Sequence, residues 1–246
     1  IWTPGQFLTL GVEVGPGAPL YRCYSLTAGP PHAPFEVAVR CDAAADPRAS
    51  LSRHLFETDL SGAAITLYPP SGEFCLPDTP AKAITYIAGG IGITPILAHL
   101  RHLAGSAARP VVHLHYVCRD RASAVFDDEL RALAQRWDTL SYWLHLTRSD
   151  GGNGAGAGHP DISRIVAAAP GDAPTYVCGP RGLIEAVRAA HHACGRSNGT
   201  LHYELFDARG VGGESAAAVA EATVRLPETG IAGPWAPADG SLLDWI

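Results

Sequence analysis

Residues 83–95 read Ala83-Ile84-Thr85-Tyr86-Ile87-Ala88-Gly89-Gly90-Ile91-Gly92-Ile93-Thr94-Pro95, and few folds accommodate such a string. The apolar run up to Ala88 reads as a parallel strand buried on both faces. Gly89, Gly90 and Gly92 then let the backbone turn sharply and approach a ligand with no Cβ in the way. Residues 96–103 carry apolar side chains at helical spacing, and Pro95 suits a first helical turn. A strand, a glycine turn and a helix in this order present backbone N–H groups and a helix N-terminus to a phosphate. The same glycines also occur in ordinary tight turns, so the rest of the chain must decide between the two.

The chain has 246 residues, 47% of them hydrophobic and 17% charged, which is enough for a sizeable core in one or two domains. No apolar run is long enough to span a bilayer, so no membrane partner is expected. A net charge of −6 without basic patches argues against nucleic acid. Cys23, Cys41, Cys75, Cys118, Cys178 and Cys194 are scattered and form no C-x-x-C pair. That pattern predicts free thiols in a reducing cytoplasm rather than a disulfide framework or a metal site. His191 and His192 read as helix-surface residues, and His113 and His115 as neighbours on one strand face.

Residues 1–79 show short apolar or alternating runs at 7–10, 21–26, 35–40 and 64–67 between Gly, Pro and Asp clusters. These predict a small antiparallel β-barrel. Over residues 80–206 the pattern alternates: strands at 83–88, 111–118, 141–147, 175–178 and 202–206, with helices at 96–103, 127–137, 162–168 and 183–194. Strand–helix alternation implies an α/β domain with a parallel sheet. Residues 151–158 read as a surface loop and 207–221 as a linker. Residues 222–226 look like a strand opening a further segment, 222–246.

Three more strings accompany the glycine turn: Arg22-Cys23-Tyr24-Ser25, then Cys178-Gly179-Pro180 at a strand end, then His202-Tyr203-Glu204-Leu205-Phe206. In this order they resemble the ferredoxin-NADP reductase superfamily. The strings Ala-Gly-Gly-Ile-Gly-Ile-Thr-Pro, Leu-His-Tyr-x-x-Arg and Pro-Ala-Asp-x-Ser-Leu-Leu-Asp look most like its phthalate dioxygenase reductase branch. The resemblance implies a flavin-binding barrel, a nicotinamide-nucleotide domain and, from residue 222, the start of a plant-type ferredoxin domain. In that family strands precede the Pro4-Gly5-Gln6-Phe7 segment, so the barrel is expected to be incomplete at its N-terminal side. The [2Fe–2S] ligands of such a ferredoxin domain, a C-x4-C-x2-C run and a distant Cys, are absent from this sequence and are expected only in a full-length protein.

By the same resemblance Arg22 contacts the flavin phosphate, Tyr24 packs on the isoalloxazine and Ser25 hydrogen-bonds near its reactive nitrogen. The bland alternative is an exposed Arg and a half-buried Tyr on a barrel strand. Ser52 occupies the place of the second flavin motif, but the family's glycines are missing there, and a helix-capping Ser is the alternative. Phe74 reads as a core residue. Gly89, Gly90, Gly92, Thr94, Cys178, Gly179 and Pro180 are implied to hold the nicotinamide nucleotide. Thr94 caps its helix or touches the nicotinamide, and Cys178 packs near the reacting carbon rather than acting as a nucleophile. Phe206 is implied to cover the flavin ring. Arg119 ends a sheet strand, where nucleotides bind in open sheets. Arg148, followed by Ser149 and Asp150, leaves NADPH and NADH both open, and the branch favours NADH.

The expected function is an NAD(P)H-dependent flavoprotein reductase, with FMN favoured over FAD. It passes electrons from NADH through the flavin to a terminal oxygenase, of Rieske type or a P450. Ser25, Cys178 and Phe206 are the residues expected at the reacting atoms. The rival reading is a non-catalytic flavin-fold remnant serving as a binding or regulatory module.

Overall fold

The computed structural model describes residues 2–13, 19–31, 33–41, 50–79, 81–106, 109–148, 158–206, 222–226 and 231–235. Its first sheet is antiparallel. Strands β1 (Phe7–Val12), β2 (Leu20–Ala28), β3 (Glu36–Val37) and β4 (Thr66–Leu67) lie in the order β3-β2-β1-β4. β1 and β2 pair from Phe7 opposite Ser25 to Val12 opposite Leu20. Alternation along β1 turns Leu8, Leu10 and Val12 inward, where they meet Leu26 and Leu51. Leu51 opens α1 (Leu51–Glu57), a helix that the glycine-poor segment did not announce. Ser50 starts it by accepting the Arg53 N–H, and an Arg53–Glu57 ion pair of 2.6 Å spans one turn. β3 is shorter than the apolar run at 35–40 predicted: residues 38–41 leave the sheet.

The second sheet is parallel and five-stranded. It contains β5 (Ala83–Gly89), β6 (Val111–Cys118), β7 (Leu140–Leu146), β8 (Thr175–Gly179) and β9 (Leu201–Leu205), ordered β7-β6-β5-β8-β9. Four helices cross between these strands: α2 (Ile93–Ala104), α3 (Asp127–Arg136), α4 (Ile162–Ala167) and α5 (Arg181–Ala193). The central strand feeds two cores. Ile84, Tyr86 and Ala88 point toward Ile93, Ile96, Leu97 and Leu100 of α2, while Ile87 joins Ile165, Val166, Ile184 and Val187 of α4 and α5. Burial on both faces is why β5 reads as an unbroken apolar run. Phe74, from the segment after β4, is buried in the first core and stacks on His99 of α2, with ring centroids 5.5 Å apart. His99 Nε2 lies 2.9 Å from the Phe74 carbonyl, and burial lowers the pKa of this imidazole to about 3, so it is neutral.

Because β6 lies on one side of β5 and β8 on the other, the strand order reverses at the C-terminal end of β5. There Gly90–Gly92 form one turn of 3₁₀ helix that runs directly into α2, which therefore begins at Ile93, three residues before its apolar spacing predicts. Gly90 has φ +54°, a conformation open to glycine at little cost. Gly92 is needed for another reason. A Cβ there would sit 2.4 Å from the Cys178 carbonyl oxygen and 2.8 Å from the Gly179 nitrogen. A Cβ on Gly89 would meet Pro180 at 2.7 Å and Leu183 at 2.8 Å. The two strand ends thus pack backbone against backbone.

His113 and His115 share a face, as expected, and flank Trp143 at ring-centroid distances of 5.6 and 4.5 Å. His191 departs from expectation: it is buried on the inner side of α5 with Nε2 3.4 Å from Thr200 Oγ1, whereas His192 is exposed. The second compact unit contains β10 (Ala222–Leu226) and β11 (Ile231–Trp235), an antiparallel pair with Ala222 opposite Trp235. The expected loop at 151–158, apart from Gly158, the linker and the string at 237–246 lie outside the described residues.

Gly92→Ala is expected to destabilise the fold by about 1–3 kcal/mol, since the added methyl meets backbone that cannot rotate away. Gly182→Ala, in open space in α5, supplies the control and should be neutral or slightly stabilising. Denaturant midpoints of the two variants check this.

Candidate functional site

Beside the glycine turn lies a cavity of about 1300 Å³. Gly89, Gly90 and Ile91 form one wall, and Val117, Cys118 and Arg119 at the end of β6 form another. Pro180 and Phe206 close it from the ends of β8 and β9, and Ala38, Val39, Arg40 and Phe56 reach it from the antiparallel sheet and α1. The cavity therefore sits at the C-terminal edge of the parallel sheet, where the strand order reverses, the position at which open α/β sheets bind ligands.

Of the residues singled out by sequence, Gly89, Gly90, Arg119, Pro180 and Phe206 line this cavity. Gly92, Cys178 and Gly179 are buried just beneath the turn, in the glycine seam. Cys178 is 0% exposed, and burial, with help from Glu204, drives its thiol pKa well up. It is a neutral packing group, not a thiolate nucleophile. Thr94 neither caps α2 nor lines the cavity. Gly92 is the cap residue, and the buried Thr94 hydroxyl donates to the Ile91 carbonyl at 3.0 Å, tying the 3₁₀ turn to the helix. Arg148 is exposed and outside the cavity lining; its backbone N–H donates to the Arg119 carbonyl at 2.8 Å. Ser149 and Asp150 lie outside the described residues.

The second group of predicted residues lies on β2. Arg22 is exposed and donates from Nη1 to the Tyr21 carbonyl at 2.7 Å. Tyr24 is half-buried; burial raises its hydroxyl pKa, against the lowering effect of the Arg22 charge. Ser25 is 3% exposed, and its Oγ has no hydrogen-bond partner among the described residues. A buried hydroxyl left unmatched costs free energy. It therefore fits a ligand heteroatom in the way a flavin nitrogen would satisfy it. Arg22, Tyr24, Ser25 and Ser52 do not line the cavity at the glycine turn. Ser52 lies within α1 with Oγ 3.1 Å from Ser50 Oγ, and the capping role open to it is taken by Ser50.

Sequence reasoning missed three contributors. Arg40 Nη1 lies 3.8 Å from where a Gly90 Cβ would be, so a cation from the segment after β3 faces the glycine turn. No motif marks it; its place follows from β3 ending early. Phe126 lines the cavity at the head of α3 with φ +64°, the left-handed region. Glu204, beside Phe206 in the sequence, has a buried Oε2 without a hydrogen-bond partner among the described residues, and burial raises its pKa to about 7. Phe206 follows β9, and its N–H donates to the Gly179 carbonyl at 3.1 Å, which brings the last strand end onto the glycine seam.

The Glu204 shift has a pH signature. An unfolded Glu titrates near 4.5, so between that pH and about 7 the unfolded chain loses a proton that the folded chain keeps. Stability conferred by the neutral carboxyl is present below that window and lost as pH rises through it. Glu204→Gln should therefore gain stability relative to wild type across the same interval, as paired denaturation curves at its two ends would show.

Residues 86–189 match the oxidoreductase NAD-binding domain family. The chain is 32% identical over 208 residues to the NADPH oxidoreductase of Mycobacterium tuberculosis, covering 83% of this chain and 52% of that protein. It is 38% identical over 151 residues to the phenoxybenzoate dioxygenase subunit beta of Ectopseudomonas oleovorans, covering 60% of this chain and 41% of that one. An intact type IV self-sufficient cytochrome P450 monooxygenase superposes with a TM-score of 0.71 at 28% identity, over 99% of this chain and 28% of its own. The chain thus spans about half the length of the first curated relatives it matches. The four motifs in order, the strand order reversing at the glycine turn and these likenesses together support the ferredoxin-NADP reductase superfamily, in its phthalate dioxygenase reductase-like branch, and residues 86–189 belong to the oxidoreductase NAD-binding domain family.

Proposed function

We propose that this chain is the reductase module of an oxygenase system, taking electrons from NADH into a bound flavin and passing them to a terminal oxygenase. The observation that carries the reading is the glycine seam. Two strand ends packed closely through glycines, at the point where the strand order reverses, place the turn beside a cavity lined from both sheets' sides. When bound, flavin accepts two electrons together as hydride and releases them singly, and this is the chemistry the module needs.

The protein's own task is orientation. Arg22 offers a guanidinium with five N–H donors on one rigid fork, suited to the flavin phosphate. Ser25 presents its unmatched hydroxyl to the flavin ring, and Tyr24 supplies an aromatic face one residue before it. The Gly89–Gly92 turn holds the nucleotide phosphates, with Arg40 and Arg119 as cations lining the same cavity. Cys178, kept neutral and small, lets the nicotinamide approach, and Phe206 excludes water from the ring edge. Glu204, with a pKa of about 7, is suited to hold a proton near the site at neutral pH.

FMN is the proposed flavin and NADH the proposed donor; the alternatives are FAD and NADPH. The acceptor is an oxygenase of Rieske or P450 type, in line with the dioxygenase and P450 names among the likenesses. A [2Fe–2S] centre does not fit the residues present. The six cysteines contain no C-x4-C-x2-C run, and no group of three or more His, Cys, Asp or Glu among the described residues suits a metal. No step is therefore assigned to a cluster on this chain. Six free thiols suit work in a reducing cytoplasm. Among the described residues no helix is long and apolar enough to cross a membrane.

Purified protein should be yellow, and its flavin bands should bleach anaerobically on addition of NADH; colourless, folded protein would favour the non-catalytic rival. The mass of the released flavin distinguishes FMN from FAD. Arg22→Ala is expected to lower flavin occupancy, because a charged hydrogen bond of about 1.5–3 kcal/mol is lost. Unchanged flavin content through purification would count against Arg22 as the phosphate ligand.

A further inference from the structure

One ion network joins the two sheets and has no part in the cavity. Arg101, in the last turn of α2, grips Glu129 of α3 with both nitrogens of its fork, Nε to Oε1 at 2.7 Å and Nη2 to Oε2 at 2.9 Å. Its Nη1 reaches across to the antiparallel sheet, donating to Glu36 Oε1 of β3 at 2.8 Å and to the Thr27 carbonyl of β2 at 3.1 Å. Thr27 closes the ring by donating its hydroxyl to Glu36 Oε1 at 2.6 Å. These two contacts hold the Glu36 carboxyl below its usual pKa, the Thr27 hydrogen bond most, and Glu129 above all raises that of the guanidinium. The Arg101 side chain is 31% exposed and Glu129 34%, so the bidentate half is the better shielded; Glu36, at 54%, is the more open end.

The placement matters more than the strength. Thr27 stands two residues beyond Ser25 on β2, at the irregularity in pairing between Leu26 and Ala28. Arg101 stands eight residues into the helix that begins at Ile93, straight after Gly92. At 1.5 Å per residue those eight residues make a rod of about 12 Å. One end of this rod carries the glycine turn, and the other clamps the strand that carries Ser25. Neutral hydrogen bonds elsewhere along the seam, from His99 to the Phe74 carbonyl and from Tyr176 Oη to the Cys75 carbonyl at 3.2 Å, hold the segment after β4 and not β2.

We propose that Arg101 is a positioning residue whose guanidinium, holding Glu129, Glu36 and the Thr27 carbonyl together, fixes the offset between Ser25 and the Gly89–Gly92 turn. The inference rests on the reading above, in which the flavin lies along β2 and the nicotinamide nucleotide at the turn. Reaction between two stacked ligands is steeply sensitive to displacement, so a clamp remote from both acts on the rate rather than on either affinity.

The test uses flavin-loaded protein of the full chain as Arg101→Met, which keeps the stem and loses the charge, and Arg101→Lys, which keeps the charge and loses the fork. Flavin bleaching at saturating NADH should slow about tenfold or more in Arg101→Met, with flavin content and the dissociation constant for NADH within about twofold of wild type. Arg101→Lys should recover part of the loss. Amides of β2 around Thr27 should exchange hydrogen faster in Arg101→Met while those of β5 stay as they are. A bleaching rate within about twofold of wild type, or a fall that only tracks lost flavin, overturns the proposal. If Arg101→Met does not fold, Glu36→Gln and Thr27→Val, which loosen only the β2 and β3 side, carry the same test. A wild-type protein that binds flavin yet is not bleached by NADH or NADPH overturns the underlying reading and this inference with it; a bleached wild type with an unaffected Arg101→Met overturns this inference alone.

Discussion

The site is arranged around a close approach between two stretches of main chain. Gly92 lies against the Cys178 carbonyl and the Gly179 nitrogen so tightly that a Cβ there would overlap backbone on the other side, and a Cβ on Gly179 would meet the Gly89 backbone at 3.0 Å. Everything downstream inherits that spacing. The 3₁₀ turn enters α2 without a break, Phe206 docks on the Gly179 carbonyl, and the space above the turn stays open to a ligand. Dense packing on both faces of β5 holds the arrangement rigid, because a strand buried on two sides has no direction in which to relax.

The sequence showed the elements governed by strong local rules. β6 spans the residues its apolar alternation predicts, β5 and β8 run one residue further at their C-terminal ends, and β7 and β9 are each shifted by one residue. The glycine turn was readable because steric exclusion leaves glycine no substitute. The elements that escaped depend on distant partners. α1 is seven residues long with Leu51 its one buried side chain, too little for a periodicity to show. β3 stops at Val37 because the chain beyond it turns to line a cavity, an event decided by the other sheet. His191 looks like a surface residue in a doublet, and only the packing of α5 distinguishes it from His192.

The site follows the same division. Residues belonging to backbone motifs, such as Gly90 and Pro180, were legible, whereas Arg40 and Phe126 were not, since each reaches the cavity from an element with no motif of its own. Glu204 stood within a quoted string, but its raised pKa comes from burial, which is a property of neighbours. His99 makes the same point: burial against Phe74 lowers the pKa of its imidazole to about 3 and keeps it neutral, which its place in the sequence does not show. Chemistry that depends on what surrounds a side chain is invisible in one dimension.

Phe126 shows what such dependence means for the chain as a polymer. An L-residue in the left-handed basin sits roughly 1–2 kcal/mol above its preferred backbone state. Its side chain offers no capping hydrogen bond in return, though the ring packs against the first core. The helix start at Asp127 is announced by three acidic residues in its first turn, but the left-handed turn at Phe126 that precedes it is not written in the local sequence. The peptide alone would leave this basin, and the conformation becomes the favourable one only once the first core has formed for the aromatic ring to pack against. Secondary structure at this corner of the cavity is a product of tertiary assembly, so the rim cannot take its shape before the interior does.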